Sequence, residues 1–317
     1  MLTFLINKER KWADKYLTET KHRNCPICDT QFSKLFETFI SNATLYAVYI
    51  CDCCGFIFQN PIYNKKHYHS LPCHYPKNYF QHSNQRGSYI YQFIKEFVRR
   101  DPKVDVLDIG AGKCEPLKYI LNAGFSGHHA YKDSNSYRGT AITMEPKEKI
   151  YMGDKWNIDI EFFDFEDEEM TSKFIEKNRS KFDFVIMSHV LEHFFEPNKV
   201  IKNIIPLLNE NAKVYIEVPS LLNAEYRIKS VWTPEHLSFF TINTLSTLMN
   251  QNGFDLLKKN DSQIWGNIKT VWEYNPNKLK FIWSKDFNIK NKYKKNQFKK
   301  FVQRMKHKLG YKYGANI

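Results

Sequence analysis

The chain has 317 residues, 42% hydrophobic and 16% aromatic, which excludes a mostly disordered polypeptide and allows one full-sized domain with one or two small ones. Its net charge is +13, yet residues 275–317 hold 13 Lys/Arg against the single acid Asp286, so the rest of the chain is close to neutral. A basic appendage on a neutral body argues against a body built to bind nucleic acid. No run of about 18 apolar residues is present, so no transmembrane helix is expected. The start, MLTFLINKERK, has an apolar run too short for a signal-peptide core, and a cytoplasmic protein is the expectation.

The first chemistry-bearing pattern is Cys25-Pro-Ile-Cys28, then 22 residues, then Cys51-Asp-Cys53-Cys54. Each CxxC knuckle aims two thiolates at one point, and Cys25, Cys28, Cys51 and Cys54 together form the tetrahedral sulfur set that Zn²⁺ favours. Gly55 follows the second knuckle and relieves its tight backbone. Four protein ligands leave no open position, so this zinc is expected to hold together a small β-rich module and to do no chemistry. Cys53 is a competing ligand, and Cys73, His67, His69 and His74 are nearby in sequence. Zinc ribbons also bind nucleic acid, but only Lys34 lies between these knuckles.

Lys103–Ile109 reads as a strand that ends in Asp108-Ile-Gly110-Ala-Gly112, with a helix expected from Glu115. A glycine loop between strand and helix brings backbone N–H groups close to a ligand. Gly139–Met144 is a short strand-like run, and Ile158–Phe165 reads as another strand, ending at Asp164. Phe184–Met187 is a buried strand, followed by the polar cluster Ser188, His189, Glu192 and His193, a helix over Asn198–Leu208 and a strand over Lys213–Val218. Strands alternating with helices predict a parallel α/β sheet, with ligands at the carboxyl ends of its strands. Next comes Trp232-Thr-Pro-Glu235-His236-Leu-Ser-Phe-Phe and a helix over Ile242–Asn252, stopped by Gly253.

Taken together, the paired CxxC, the DIGAG loop, the FDFVIMSHVLEH segment and the EHLSFFT…GFDLL segment occur in an order that resembles one family. These are the class I S-adenosylmethionine-dependent methyltransferases with an amino-terminal zinc module, similar to sugar C-methyltransferases and related polysaccharide-modifying enzymes. The resemblance covers about 25–257. It implies a Rossmann-like sheet with helices on both faces, a zinc module over 20–75, a cofactor domain over 85–260 and an extension over 275–317. It also implies that Asp108, Gly110 and Gly112 cradle the methionine part of S-adenosylmethionine, that Ser188 and His189 line the same pocket, and that Asp164 receives the adenine amino group. The ribose acid is Glu145 or Asp133; Glu145 is preferred for its distance to Asp164 and leaves 126–138 as an insertion. Cys114 departs from the family, which has a third glycine there, and its sulfur is expected to narrow the pocket. Glu192 and His193 are expected to fix the turn. Glu235 and His236 sit in the family's active site with the histidine as base, and an imidazole oriented by a carboxylate suits removal of an acceptor proton.

The resemblance implies a sugar or nucleotide-sugar acceptor. Residues 291–310 set Phe298, Phe301, Val302, Met305 and Leu309 on one helical face among lysines. This face docks on its own domain, lies on an anionic membrane surface at the inner membrane face, or meets phosphates. Two rival functions stand beside the enzyme: a catalytically degenerate binding module, and a nucleic-acid methyltransferase, against which the absent Asn/Asp-Pro-Pro-aromatic tetrad counts.

Overall fold

The computed structural model describes residues 19–41, 44–71, 79–97, 104–125, 137–144, 158–222, 232–262, 266–277, 291 and 293–294. In chain order the first elements are β1 (Thr20–Lys21), β2 (Ser33–Ser41), β3 (Thr44–Cys51), β4 (Ile57–Gln59), β5 (Ile62–Tyr63), α1 (Lys65–His69) and α2 (Tyr79–Ile94). There follow β6 (Val104–Ile109), α3 (Glu115–Phe125), β7 (Tyr137–Thr143), β8 (Ile158–Phe162), α4 (Glu168–Lys177), β9 (Phe182–Ser188), α5 (Pro197–Ile204) and β10 (Leu208–Pro219). The last are β11 (Ser238–Phe239), α6 (Ile242–Gln251), β12 (Phe254–Ser262) and β13 (Asn267–Tyr274).

A seven-stranded sheet has the order β12-β13-β10-β9-β6-β7-β8. The pairs β10–β9, β9–β6, β6–β7 and β7–β8 are parallel, and β13 runs antiparallel to both its neighbours. Central strands of such a sheet are covered on both faces, which is why β6 (VDVLDI) and β9 (FDFVIMS) are nearly continuous apolar runs. Strand order reverses between β6 and β9, and the carboxyl ends there open the crevice in which α/β sheets bind ligands. The sheet runs on to Tyr274, past the expected domain limit at residue 260, and Arg138, assigned to the insertion, lies in β7.

The amino-terminal module is not a separate bead. Its four-stranded sheet, β11-β4-β3-β2, takes its edge strand β11 from the EHLSFF segment, with Ser238 opposite Phe58 and Phe239 opposite Ile57. Phe56 and Phe58 are fully buried in the cluster that also holds Phe240, Leu245 and Leu248 of the larger domain. Arg23 crosses the seam, donating to the carbonyls of Gln59 (3.2 Å), Phe195 (2.6 Å) and Leu237 (3.2 Å), with its guanidinium 5.4 Å from the centre of the Phe58 ring.

Local signals explain the element ends. Thr241 and Thr244 form a reciprocal cap at the start of α6, and Gly253 follows it at φ +86°. Asp167 caps α4, whose first turn carries Glu168 and Glu169 against the helix dipole. Glu166, just before that helix, accepts from the backbone N–H groups of Phe195 (3.0 Å) and Glu196 (2.7 Å). The amphipathic run 291–310 lies outside the described residues except Asn291, Tyr293 and Lys294. There Tyr293 accepts from Trp232 Nε1 at 3.0 Å and its ring lies 5.3 Å from that of Phe36. No helix of the described residues is long and apolar enough to cross a membrane.

Candidate active site

The glycine loop leaves β6 with Gly110, Gly112 and Cys114 all left-handed, at φ +74°, +54° and +61°. Gly110 and Ala111 both donate to the Ile142 carbonyl, and Thr143 Oγ1 donates to that of Gly112 (2.9 Å), so β7 holds the loop open. A Cβ on Gly110 would lie 2.3 Å from Val190 Cγ2, which brings the loop after β9 against the glycine loop. Cys114 keeps the glycine-like backbone despite its side chain, a strain of about 1–2 kcal/mol. Its sulfur belongs to the apolar cluster of Ile90, Ala111 and Leu117, fully buried, so it packs into the core behind the loop where a narrowed pocket was expected. Asp108 is 3% exposed; burial pushes its carboxyl up to about 7, against the pull of Arg86.

Beside the loop, a network surrounds Glu217 of β10, which is almost fully buried. Its Oε2 accepts from Ser188 Oγ and Tyr215 Oη (both 3.0 Å), and its Oε1 from Asn267 Nδ2 (2.8 Å). Arg86 donates from Nη2 to Ser188 Oγ (2.8 Å), and its buried Nε lies 3.9 Å from Glu217 Oε2 without a hydrogen bond among the described residues. Burial opposes the charge on Glu217, but His189, Arg86 and Lys269 outweigh it and hold the carboxyl well below its usual range. His189, left-handed at φ +53°, lies 3.6 Å from Glu217 and 3.4 Å from Glu192. Burial and Arg86 oppose its protonation, yet the two carboxylates raise its pKa above 6.5.

The third group converges from two segments. The single turn Leu191–His193 carries Glu192, 1% exposed, and ligand atoms of Glu192, His193 and His236 all lie within 4.8 Å of one another. The His193 and His236 rings are 5.1 Å apart. His193 Nδ1 faces the Glu235 carbonyl at 2.9 Å; a carbonyl only accepts, so this nitrogen carries a proton, and Nε2 lies 3.9 Å from Glu192 Oε1. Neither Glu192 oxygen makes a hydrogen bond among the described residues. Burial disfavours the Glu192 carboxylate, but His189, His193 and His236 overcome it and hold the group at about 2. The carboxylate facing both imidazoles is thus Glu192, which sequence reasoning assigned to the turn alone. That of Glu235 lies close enough to Tyr46 to add to the burial that raises the phenol to about 12.

Asp164 ends its loop paired with Lys65 of α1 at 3.2 Å and accepts from Glu166 N–H at 2.9 Å. Glu145 and Asp133 lie outside the described residues, as do Cys73 and His74. Cys25, Cys28, Cys51 and Cys54 gather as the spacing predicts, with Sγ–Sγ distances of 3.6 Å (Cys25–Cys54) and 3.5 Å (Cys28–Cys51). A tetrahedral zinc with Zn–S bonds near 2.3 Å sets its sulfurs about 3.8 Å apart, so the set fits the ion. Cys54 N–H and Cys53 N–H point at Cys51 Sγ, as metal-bound thiolates require, while Cys53 itself is exposed. His67 is turned instead to Tyr46 Oη, at 2.9 Å.

Arg86, Glu217, Asn267 and Lys269 were not found from sequence. Glu217 carried a signal, an acid inside the apolar run VYIEVP, because a charge in a buried strand requires partners.

Three comparisons follow from this geometry. The family model described as "Methyltransferase domain" matches residues 80–259. No curated protein matches the chain. Among solved structures, the chain is similar to the 1,6-didemethyltoxoflavin-N1-methyltransferase of Burkholderia thailandensis, crystallised with 1,6-didemethyltoxoflavin and S-adenosylhomocysteine (15% identity, 75% of this chain, 99% of that one, TM-score 0.46). It is also similar to the PH0226 protein of Pyrococcus horikoshii (13%, 67% and 100%, TM-score 0.47). A third is the CurJ carbon methyltransferase (13% identity, 63% of this chain, TM-score 0.44), of which the chain spans 56%.

Proposed function

The chain belongs to the methyltransferase-domain family and is an S-adenosylmethionine-dependent methyltransferase; from that premise we propose that it methylates a sugar, carried on a nucleotide, at a carbon beside a keto group or at a hydroxyl. The observation that carries the acceptor half of this reading is the convergence of Glu192, His193 and His236 beside the glycine loop. When bound, S-adenosylmethionine supplies an electrophilic methyl group on a sulfonium.

In this reading the Gly110–Gly112 backbone, Ser188 and His189 hold the methionine part. Asp108 would orient its ammonium, and Arg86, whose Nε lies 3.9 Å from Glu217 Oε2, would supply positive charge for its carboxylate. Asp164 serves the adenine, and Glu145 or Asp133 the ribose. His236 takes the acceptor's proton as the acceptor's electron pair forms the new bond to the methyl carbon. The sulfonium, when bound, would give up its methyl group and keep the electrons of that bond, and the buried Glu192 carboxylate would stabilise the imidazolium formed. Glu235 supports the site through its carbonyl on His193. The four cysteines hold structural zinc. The enzyme works in the cytoplasm; its +12 extension docks on its own domain, a reading supported by Tyr293 against Trp232 and Phe36, with an anionic membrane surface at the inner membrane face as the alternative.

Calorimetric titration with S-adenosylhomocysteine tests the cofactor half: micromolar binding lost in Gly110→Arg is expected, and no binding by folded, zinc-loaded protein points to a degenerate binding module. Transfer of labelled methyl to a panel of nucleotide sugars tests the acceptor. His236→Ala should abolish transfer with cofactor affinity unchanged; undiminished transfer would rule out His236 as base.

A further inference from the structure

Gln59, in β4 of the cysteine module, is fully buried, and every hydrogen-bonding group it owns is engaged. Its Nε2 donates to the carbonyls of Pro234 (2.9 Å) and His236 (2.8 Å), and its Oε1 accepts from Tyr68 Oη (3.0 Å). Its backbone N–H donates to Leu237 O (2.9 Å), and its own carbonyl accepts from Arg23 Nε, whose guanidinium also reaches Leu237 O. From the opposite side, His193 takes the Glu235 carbonyl, and Glu192 O accepts from Leu237 N–H at 2.8 Å. The peptides on both sides of His236 are therefore fixed by two walls, one from the module and one from the turn after β9.

We infer that Gln59 is a positioning residue for His236, and that the cysteine module is a working part of the acceptor site through it. The inference rests on the reading of His236 as the base. A carboxamide is the side chain this place requires. Two backbone carbonyls must be satisfied from one buried point, and only an NH₂ group donates twice while its oxygen still accepts. Without it, both carbonyls lose their partner inside a dry seam and the turn can relax away from His193 and Glu192. Since the glycine loop shares none of these bonds, the cofactor cradle should not respond.

The test uses full-length, zinc-loaded protein saturated with S-adenosylhomocysteine, and Gln59→Met, which keeps the volume and removes the donors. Amide exchange over 233–240 should quicken about 10-fold or more, from two lost hydrogen bonds, with the rest of the chain unchanged. The His236 imidazole resonance, assigned by its loss in His236→Asn, should shift its titration midpoint. Affinity for S-adenosylhomocysteine should stay within about 2-fold, the scatter of an independent site. Tyr68→Phe, which frees the carboxamide oxygen and the Tyr63 N–H that donates to Tyr68 Oη at 3.3 Å but leaves both Nε2 hydrogen bonds in place, should give a smaller change in the same direction and serves if Gln59→Met does not fold. An unaltered His236 titration and unaltered exchange over 233–240 in either folded variant would overturn the inference, as would acceleration spread evenly over the chain. None of these readouts needs turnover, so they fail or hold apart from the base reading, which His236→Ala decides.

Discussion

Asp108→Asn offers the sharpest test of the electrostatics, because it should strengthen the fold while weakening the function. The carboxyl is 3% exposed, its pKa stands at about 7 against an ordinary 3.8, and burial is the leading cause. A folded pKa above the unfolded one means that the unfolded chain releases the proton first. The stability associated with the neutral acid is intact below about pH 4, drains away between there and pH 7, and is flat above. At about 1.4 kcal/mol per unit, the carboxylate costs the unliganded protein roughly 4 kcal/mol at pH 8 and roughly 2 kcal/mol at pH 5. The amide carries no charge at either pH, so Asp108→Asn should gain stability, by some 2–3 kcal/mol more at pH 8 than at pH 5. Urea unfolding of both proteins at the two pH values reads this directly, and the parent–variant difference cancels every other titrating group. S-adenosylhomocysteine should bind the variant at least about 10-fold more weakly, a lost charge-assisted contact. Equal stability differences at pH 5 and pH 8 would refute the claim that Asp108 is held in a desolvated site, whatever happened to binding.

Gly110→Ala places a methyl 2.3 Å from Val190 Cγ2 at φ +74°, and is expected to cost the cofactor site about 10-fold or more in affinity, with partial recovery in Gly110→Ala/Val190→Gly measured by the same titration. With zinc at the four cysteines as proposed, a chelator should lower Tm by more than about 10 °C in a scan, because the cysteines share one apolar cluster with Phe240 and Leu248. Glu192→Gln removes a carboxyl held at about 2 against 4.5. A lowered pKa supplies stability above pH 4.5 that is lost as pH falls toward 2, so the variant should be weaker by about 3 kcal/mol near pH 5–6 and nearly equal near pH 2. The titration midpoint of His189, seen by NMR, should fall in the same variant; an unmoved midpoint would deny the Glu192–His189 pairing.

What the sequence announced was whatever is carried by short spacing. Strand β6 followed by Gly110 and Gly112, the CxxC pairs, and helix α6 with Gly253 after it are local patterns, decided by backbone conformation within a few residues. The chemistry of the site is mostly not local. Arg86 meets Ser188 across 102 residues, Asn267 meets Glu217 across 50, and Gln59 meets His236 across 177. No periodicity encodes such pairs, because each depends on which strand ends the sheet order brings together. Glu192 shows the consequence. In sequence it looked like part of a turn, because Leu191–His193 does form one. Its role became visible only when β11 joined the module sheet and the segment before it carried His236 up to the turn. A buried acid in a predicted turn, or in an apolar strand like Glu217, is thus a stronger pointer to a site than an acid in a charged run such as Glu166–Glu169. Burying a lone carboxylate costs several kcal/mol, so the fold must bring a cation or a donor to it, and those partners are the site.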